Sequence, residues 1–181
     1  MRYPLTTGVE TQMGQTEASG RRAIGSPLGT LVLEAGPEGL RALHLPDDDG
    51  DAAVEADRES SIGARARAIL DNAEGQLAEY FAGRRQQFEL PLAPRGTPFR
   101  HRVWSALRTI EAGETWSYAD LARAVGVPGG SRAVGQANGD NPIAIIIPCH
   151  RVVAANGSLG GYSGGLERKR WLLAHEGVEV S

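Results

Sequence analysis

Apolar and polar positions alternate first at Leu28–Glu34, which predicts a strand. Gly36-Pro-Glu-Gly39 then supplies a turn, and Leu40–Leu45 predicts the returning strand of a hairpin. Residues 1–20, rich in Thr, Gly, Gln and Ser, show no period; a mobile tail is expected there, with order beginning near Ala23. From Ala64 to Ala82 the period lengthens. Ala66, Ile69, Ala73, Leu77 and Tyr80 recur at helical spacing, and Gly83 supplies the stop. Gln87–Leu92 alternates again, with Pro91 confining that strand to a sheet edge. Asp47–Asp51 predicts a solvated acidic loop. It lacks the downstream bidentate Glu of a calcium loop and misplaces its glycine.

The second half is patterned for short helices. Thr97 is a suitable N-cap with Pro98 at the first helical position, and Phe99, Val103, Leu107 and Ile110 define one apolar face. Ser117-Tyr-Ala-Asp120 forms a capping box opening a helix to Val125. Gly126-Val-Pro-Gly-Gly130 breaks it. Ser131 is expected to cap a further helix over 132–138, which Gly139 ends. Two short helices across a glycine-containing turn are similar to a helix-turn-helix. The β-branched run Ile143–Ile147 predicts a buried extended segment. These patterns divide the chain into a tail at 1–20, an α/β unit at 21–93 and a mainly helical unit at 94–181.

Composition narrows the options. In 181 residues, 41% hydrophobic and 23% charged is ordinary globular usage, which argues against wholesale disorder. No apolar run approaches the ~18 residues of a membrane span, and no secretory leader pattern is present. A cytoplasmic protein with no membrane partner is expected, and a monomer. The net charge of −3 is uneven. Residues 1–95 carry 10 cations against 15 anions, and residues 96–181 carry 9 against 7. Contact with phosphates, if made, belongs to the second half. One cysteine excludes an intrachain disulfide and a multi-thiolate zinc site.

That cysteine is the informative residue. An isolated Cys is most often a small buried hydrophobe. Here Pro148 constrains the chain just before Cys149, His150 follows it, and a Gly/Ser-rich loop at 156–165 can approach a ligand through its backbone. A thiol near its free pKa is mostly protonated at neutral pH, so a nearby base is what converts it into a nucleophile.

Pro148-Cys149-His150-Arg151-Val152 resembles the active-site motif of the O6-alkylguanine-DNA alkyltransferase family. The resemblance runs from Thr97 to about Gly177, through Arg132-Ala-Val-Gly135, Asn141-Pro142, Tyr162-Ser-Gly-Gly165 and Leu172-Leu-Ala-His-Glu-Gly177. In the first half it rests on the hairpin and on Tyr80-Phe81-Ala-Gly83. It implies a ribonuclease-H-like α/β domain, a small antiparallel sheet plus helix, packed on a helical domain with a winged-helix-like helix-turn-helix. It further implies a single-turnover repair reaction on double-stranded DNA containing alkylated bases. An alkylated guanine is flipped out, and its alkyl group, taken here as methyl, passes irreversibly to Cys149. O4-alkylthymine is a second candidate substrate. No cofactor and no metal take part.

Residue by residue, the resemblance makes Cys149 the nucleophile and alkyl acceptor, and His150 the base acting through a water. Glu176 orients His150, Tyr118 donates a proton to the guanine, and Asn141 braces the local turn. Arg132 is the finger that fills the space of the flipped nucleotide, with Ser131, Ala133, Gly135 and Tyr118 beside it on DNA. Val152, Tyr162, Ser163 and Pro148 form the base pocket. The rival readings are a non-enzymatic binder of alkylated DNA, and a helix-turn-helix regulator with Cys149 as a redox sensor.

Overall fold

The computed structural model describes residues 18–46 and 56–179. The expected acidic loop at Asp47–Asp51 and most of the expected tail lie outside them. Three strands form an antiparallel meander: β1 (Gly20–Ser26), β2 (Gly29–Gly36) and β3 (Gly39–His44), in that spatial order. The hairpin read from the pattern is β2–β3. The strand β1 was not expected; it begins at Gly20, ahead of Ala23. Its Arg-Arg-Ala-Ile-Gly run has weak alternation, and pairing with β2 (Ala23 to Val32, Ile24 to Leu31) makes it a strand.

Helix α1 (Ala64–Phe81) covers the sheet with Ala66, Leu70, Ala73, Leu77 and Tyr80 buried, so Leu70 rather than Ile69 completes the apolar face. The expected edge strand at Gln87–Leu92 shrinks to one parallel bridge, Leu40 with Leu92. The reason is a side chain. The buried Gln76 amide donates to Glu89 O (2.9 Å) and accepts from Glu89 N (2.8 Å), taking the groups a neighbouring strand would have used.

Helix α2 (Pro98–Leu107) begins as its sequence directs, with Thr97 Oγ1 accepting from Arg100 N. Trp104 is buried on it and donates its indole N–H to Ala137 O (2.9 Å). Strand β4 (Trp116–Ser117) leads into α3 (Tyr118–Ala124) through the full Ser117/Asp120 capping box. Helix α4 (Ser131–Gly139) starts one residue earlier than expected. Gly130 is its N-cap, and Ser131 lies within the first turn and makes no cap bond, because Gly130 O already accepts the first helical bond from Val134 N (3.0 Å). Strand β5 (Val152–Val153) pairs in parallel with β4, and α5 (Leu166–His175) closes the described chain.

The run Ile143–Ile147 is buried but not extended. It coils through successive turns, with Ile147 N bonded to Ile143 O (3.0 Å) and Ile145 at φ 70°. A left-handed β-branched residue costs of order 1–3 kcal/mol. Two clamps offset that cost. Asn141 Nδ2 donates to Ile147 O (2.8 Å) while Asn141 Oδ1 accepts from Ile143 N (3.0 Å). Leu43 N, on the outer edge of β3, donates to Pro142 O (2.9 Å). The segment leading to Cys149 is thus hung on the sheet of the first half. One continuous cluster of buried apolar side chains runs from Ile24 to Leu172, through both halves.

Candidate active site

Cys149 opens a single 3-10 turn, Cys149–Arg151, whose three residues are all buried. The turn projects its side chains in different directions. Cys149 faces a cavity of about 220 Å3, lined also by Tyr118, Gly135, Asn138, Tyr162 and Ser163. That is below the ~300–1,000 Å3 of a drug-sized ligand site and suits one flat ring system. Gly160 adopts φ +66°, and a Cβ there would come within 3.3 Å of the Tyr118 hydroxyl. At Gly164 a Cβ would overlap Leu45 and Tyr162. Small residues at both positions let the loop close against the aromatic walls.

Behind the cysteine lies a buried polar network. His150 Nε2 and Glu176 Oε1 are 2.9 Å apart, with side chains 0% and 2% exposed. Glu176 caps the C-terminus of α5, where the helix dipole disfavours an anion. Arg151 supplies the compensation. Its Nε donates to Glu176 Oε2 (2.8 Å), its Nη2 to Glu176 Oε1 (2.8 Å) and its Nη1 to Ile110 O (2.5 Å). Tyr80 adds a fourth donor bond to the carboxylate, hydroxyl to Oε1 at 2.8 Å. Burial alone would raise the Glu176 pKa, but the bonds from His150 and Arg151 win and bring it down to about 2. Burial pushes the His150 imidazole below its ordinary value, although Glu176 pulls the other way. The lasting ion pair is therefore Glu176 with Arg151, and His150 is a neutral donor at Nε2. That tautomer leaves a lone pair on Nδ1, which is buried and has no partner among the described residues.

Burial also pushes the Cys149 thiol up, against opposing pulls from Asn141, Lys169 and Tyr162. The resting sulfur is a thiol, which becomes a strong nucleophile only by losing its proton. Burial holds the Tyr118 phenol up as well, reinforced by Cys149, so it remains a proton donor.

Several expected residues converge here. Cys149, Tyr118, Gly135, Tyr162 and Ser163 share the cavity, and His150 and Glu176 pair behind it. Asn141 sits under the turn rather than in the cavity. Arg132 and Ala133 are exposed at the start of α4, and Ser131 is half-buried. Pro148 and Val152 do not line this cavity. Pro148 borders a separate 330 Å3 cleft with Gln87, Arg108 and Arg151. The Val152 carbonyl accepts a bond from Lys169 Nζ (2.6 Å).

Lys169 is one of four participants that the sequence reading missed. It is fully buried, and its ammonium also bonds Leu159 O and, at 3.3 Å, Gly161 O, tying the loop beside the cavity to β5. Burial lowers its pKa to about 8, with Cys149 opposing. Asn138 donates to Cys149 O (3.4 Å). Arg151 and Tyr80 are the others. Arg151 carried a signal in its place beside Cys149 and His150, and Tyr80 in the Tyr80-Phe81-Ala-Gly83 segment, though neither signal pointed to Glu176; a lone Lys on a polar-looking helix carries none.

Fold and site together define a two-part protein with one buried thiol, an imidazole–carboxylate pair behind it and a ring-sized cavity in front. Residues 98–178 match the family model described as 6-O-methylguanine DNA methyltransferase, DNA binding domain, and residues 21–94 match that of its ribonuclease-like domain. A methylated-DNA–protein-cysteine methyltransferase of Mycolicibacterium paratuberculosis is 46% identical over 155 residues, covering 86% of this chain and 90% of that one. One of the same name from Methanosarcina acetivorans is 43% identical, covering 84% and 94%. The crystal structure of Mycobacterium tuberculosis OGT in complex with DNA superposes with a TM-score of 0.74 at 45% identity, covering 86% and 91%. The chain belongs to the methylated-DNA–protein-cysteine methyltransferase family.

Proposed function

We propose that this protein repairs alkylated DNA by direct reversal, moving an alkyl group from O6-alkylguanine in duplex DNA onto Cys149 in one turnover. The observation that carries this is the placement of the chain's one cysteine, 3% exposed, on the wall of a cavity facing Tyr118, with a neutral imidazole as its next residue. The Cys149 proton passes through a water to His150 Nδ1, while Glu176 accepts from Nε2–H and stabilises the imidazolium that forms. The thiolate sulfur attacks the alkyl carbon. The new S–C bond forms as the C–O6 bond breaks, and the electron pair stays on guanine. Tyr118 gives its proton to the departing purine, offsetting the developing negative charge, and is reprotonated at the expense of His150. Guanine is restored and Cys149 becomes a thioether, so the site is spent.

DNA binding falls to the 94–181 unit, read as a winged-helix-like helix-turn-helix formed by α3 and α4. The 21–93 unit is read as ribonuclease-H-like. Arg132, exposed at the start of α4, enters the stack where the lesion leaves it. Flipping costs a few kcal/mol, and a planar guanidinium recovers part of that by stacking and hydrogen bonding. Ser131, Ala133 and Gly135 let α4 approach the groove. Tyr162 walls the pocket, and the Ser163 amide reads the base. Asn141 holds the turn that presents Cys149. The protein acts as a cytoplasmic monomer, and O4-alkylthymine is a secondary substrate.

The test is to mix the protein with a duplex containing one O6-methylguanine and weigh the intact chain. A gain of one methylene mass, mapped to Cys149, is expected. No gain with tight lesion binding would make this chain a lesion sensor rather than an enzyme.

A further inference from the structure

Glu176 Oε1 accepts three bonds, and one comes from the other half of the molecule. Tyr80 stands in the last turn of α1, is 1% exposed, and donates its hydroxyl to Oε1 at 2.8 Å. Oε1 is the same oxygen that takes His150 Nε2 and Arg151 Nη2. The ring is held edge-on against Phe81 and His175, at centroid distances of 5.4 and 5.1 Å. The Tyr80 carbonyl accepts from His175 Nε2 at 2.8 Å. Both ends of this tyrosine are thus tied to the C-terminal end of α5. Its aromatic packing needs a ring; only the carboxylate needs the hydroxyl.

We propose that Tyr80 is a positioning residue for the transfer reaction: its hydroxyl fixes Glu176 and sets how strongly that carboxylate draws on His150. The proposal rests on the reading of His150 as the base for Cys149. A carboxylate oxygen shared by three donors has less electron density for each. Removing one donor strengthens the pull on Nε2–H and makes imidazolium easier to form. The groups acting on His150 are Glu176, Arg151 from its own turn and Lys169 from α5, and Tyr80 of α1 reaches it through the shared Oε1. Among them Tyr80 is the one neutral donor to Oε1 besides His150. Burial, with Glu176 adding to it, keeps the phenol protonated across the working range. The hydroxyl therefore moderates His150, keeping its Nδ1 lone pair free near neutral pH, and the first half of the chain takes part in the chemistry through one oxygen.

The test reads His150 directly. Its 15N imidazole resonances are titrated in the full-length protein, and single-turnover transfer is followed across the same pH range. Tyr80→Phe keeps the ring and removes the donor. The His150 midpoint and the acid limb of the rate profile are expected to rise together by roughly half a pH unit or more, the effect of one hydrogen bond to a carboxylate. Placing 3-fluorotyrosine at position 80 strengthens the donor without disturbing the fold, and both should fall. Phe81→Leu loosens the same aromatic cluster without touching Oε1 and should move neither. An unmoved midpoint in Tyr80→Phe, or an equal shift in Phe81→Leu, overturns the proposal. Absence of transfer in the unaltered protein would overturn the reading of Cys149 instead, and the NMR titration would still decide the role of Tyr80.

Discussion

Replacing Glu176 by Gln keeps the shape and removes the charge at the centre of the buried network. The carboxylate accepts four bonds, from Tyr80, His150 and twice from Arg151, with its side chain 2% exposed. A glutamine offers one acceptor oxygen and turns a donating NH2 toward the donors of Arg151, whose side chain is 6% exposed. The Glu176 pKa falls from an ordinary 4.5 to about 2. At ~1.4 kcal/mol per pH unit that preference for the anion corresponds to about 3 kcal/mol. This agrees with the ~3–5 kcal/mol expected when one partner of a buried ion pair is removed. The sign follows from the direction of the shift. A depressed carboxyl contributes its stability in full above the unfolded value and loses it as pH falls from 4.5 toward 2. Denaturant unfolding of both proteins between pH 7 and pH 2 is the assay. Glu176→Gln should be about 3 kcal/mol less stable at pH 7, and the gap should close through that acid window. A variant as stable as its parent at pH 7, or a gap that persists unchanged at pH 2, would refute the reasoning.

Cys149→Ser should abolish transfer and retain DNA binding, seen as no adduct by intact mass with an unchanged gel shift. Arg132→Ala should slow transfer from duplex more than from a single strand, where no stacked partner has to be replaced; equal rates on both would remove the finger role. Lys169→Met leaves the carbonyls of Val152, Leu159 and Gly161 without their ammonium. It should cost ~1–3 kcal/mol and raise amide exchange over 159–161.

Elements specified by local chemistry were legible without coordinates. The Thr97 cap, the Ser117/Asp120 capping box and the α1 face use neighbours three or four residues apart, and the structure forms them where the pattern put them, with Leu70 in place of Ile69 on the α1 face. The Gln87–Leu92 strand and the extended Ile143–Ile147 segment were misread for one reason: their backbone partners are side chains distant in sequence or on the far side of a turn. Gln76 takes the ladder groups of Glu89, and Asn141 bends the isoleucine run into a coil.

The site divides in the same way. Cys149, His150 and Arg151 are adjacent in the chain, and the ordered motifs around them identified the family before any geometry was known. The sequence by itself determined the Cys149–His150 pair and the short helices that flank it, because those depend on residues close together. Only the tertiary structure decided that Tyr80 and Arg151 meet on the Glu176 carboxylate and that Lys169 is buried beside the cavity. Tyr80 reaches Glu176 across 96 positions and Arg151 reaches Ile110 across 41. Such polar groups announce no periodicity; what selects them is burial, where each donor and charge must find a partner.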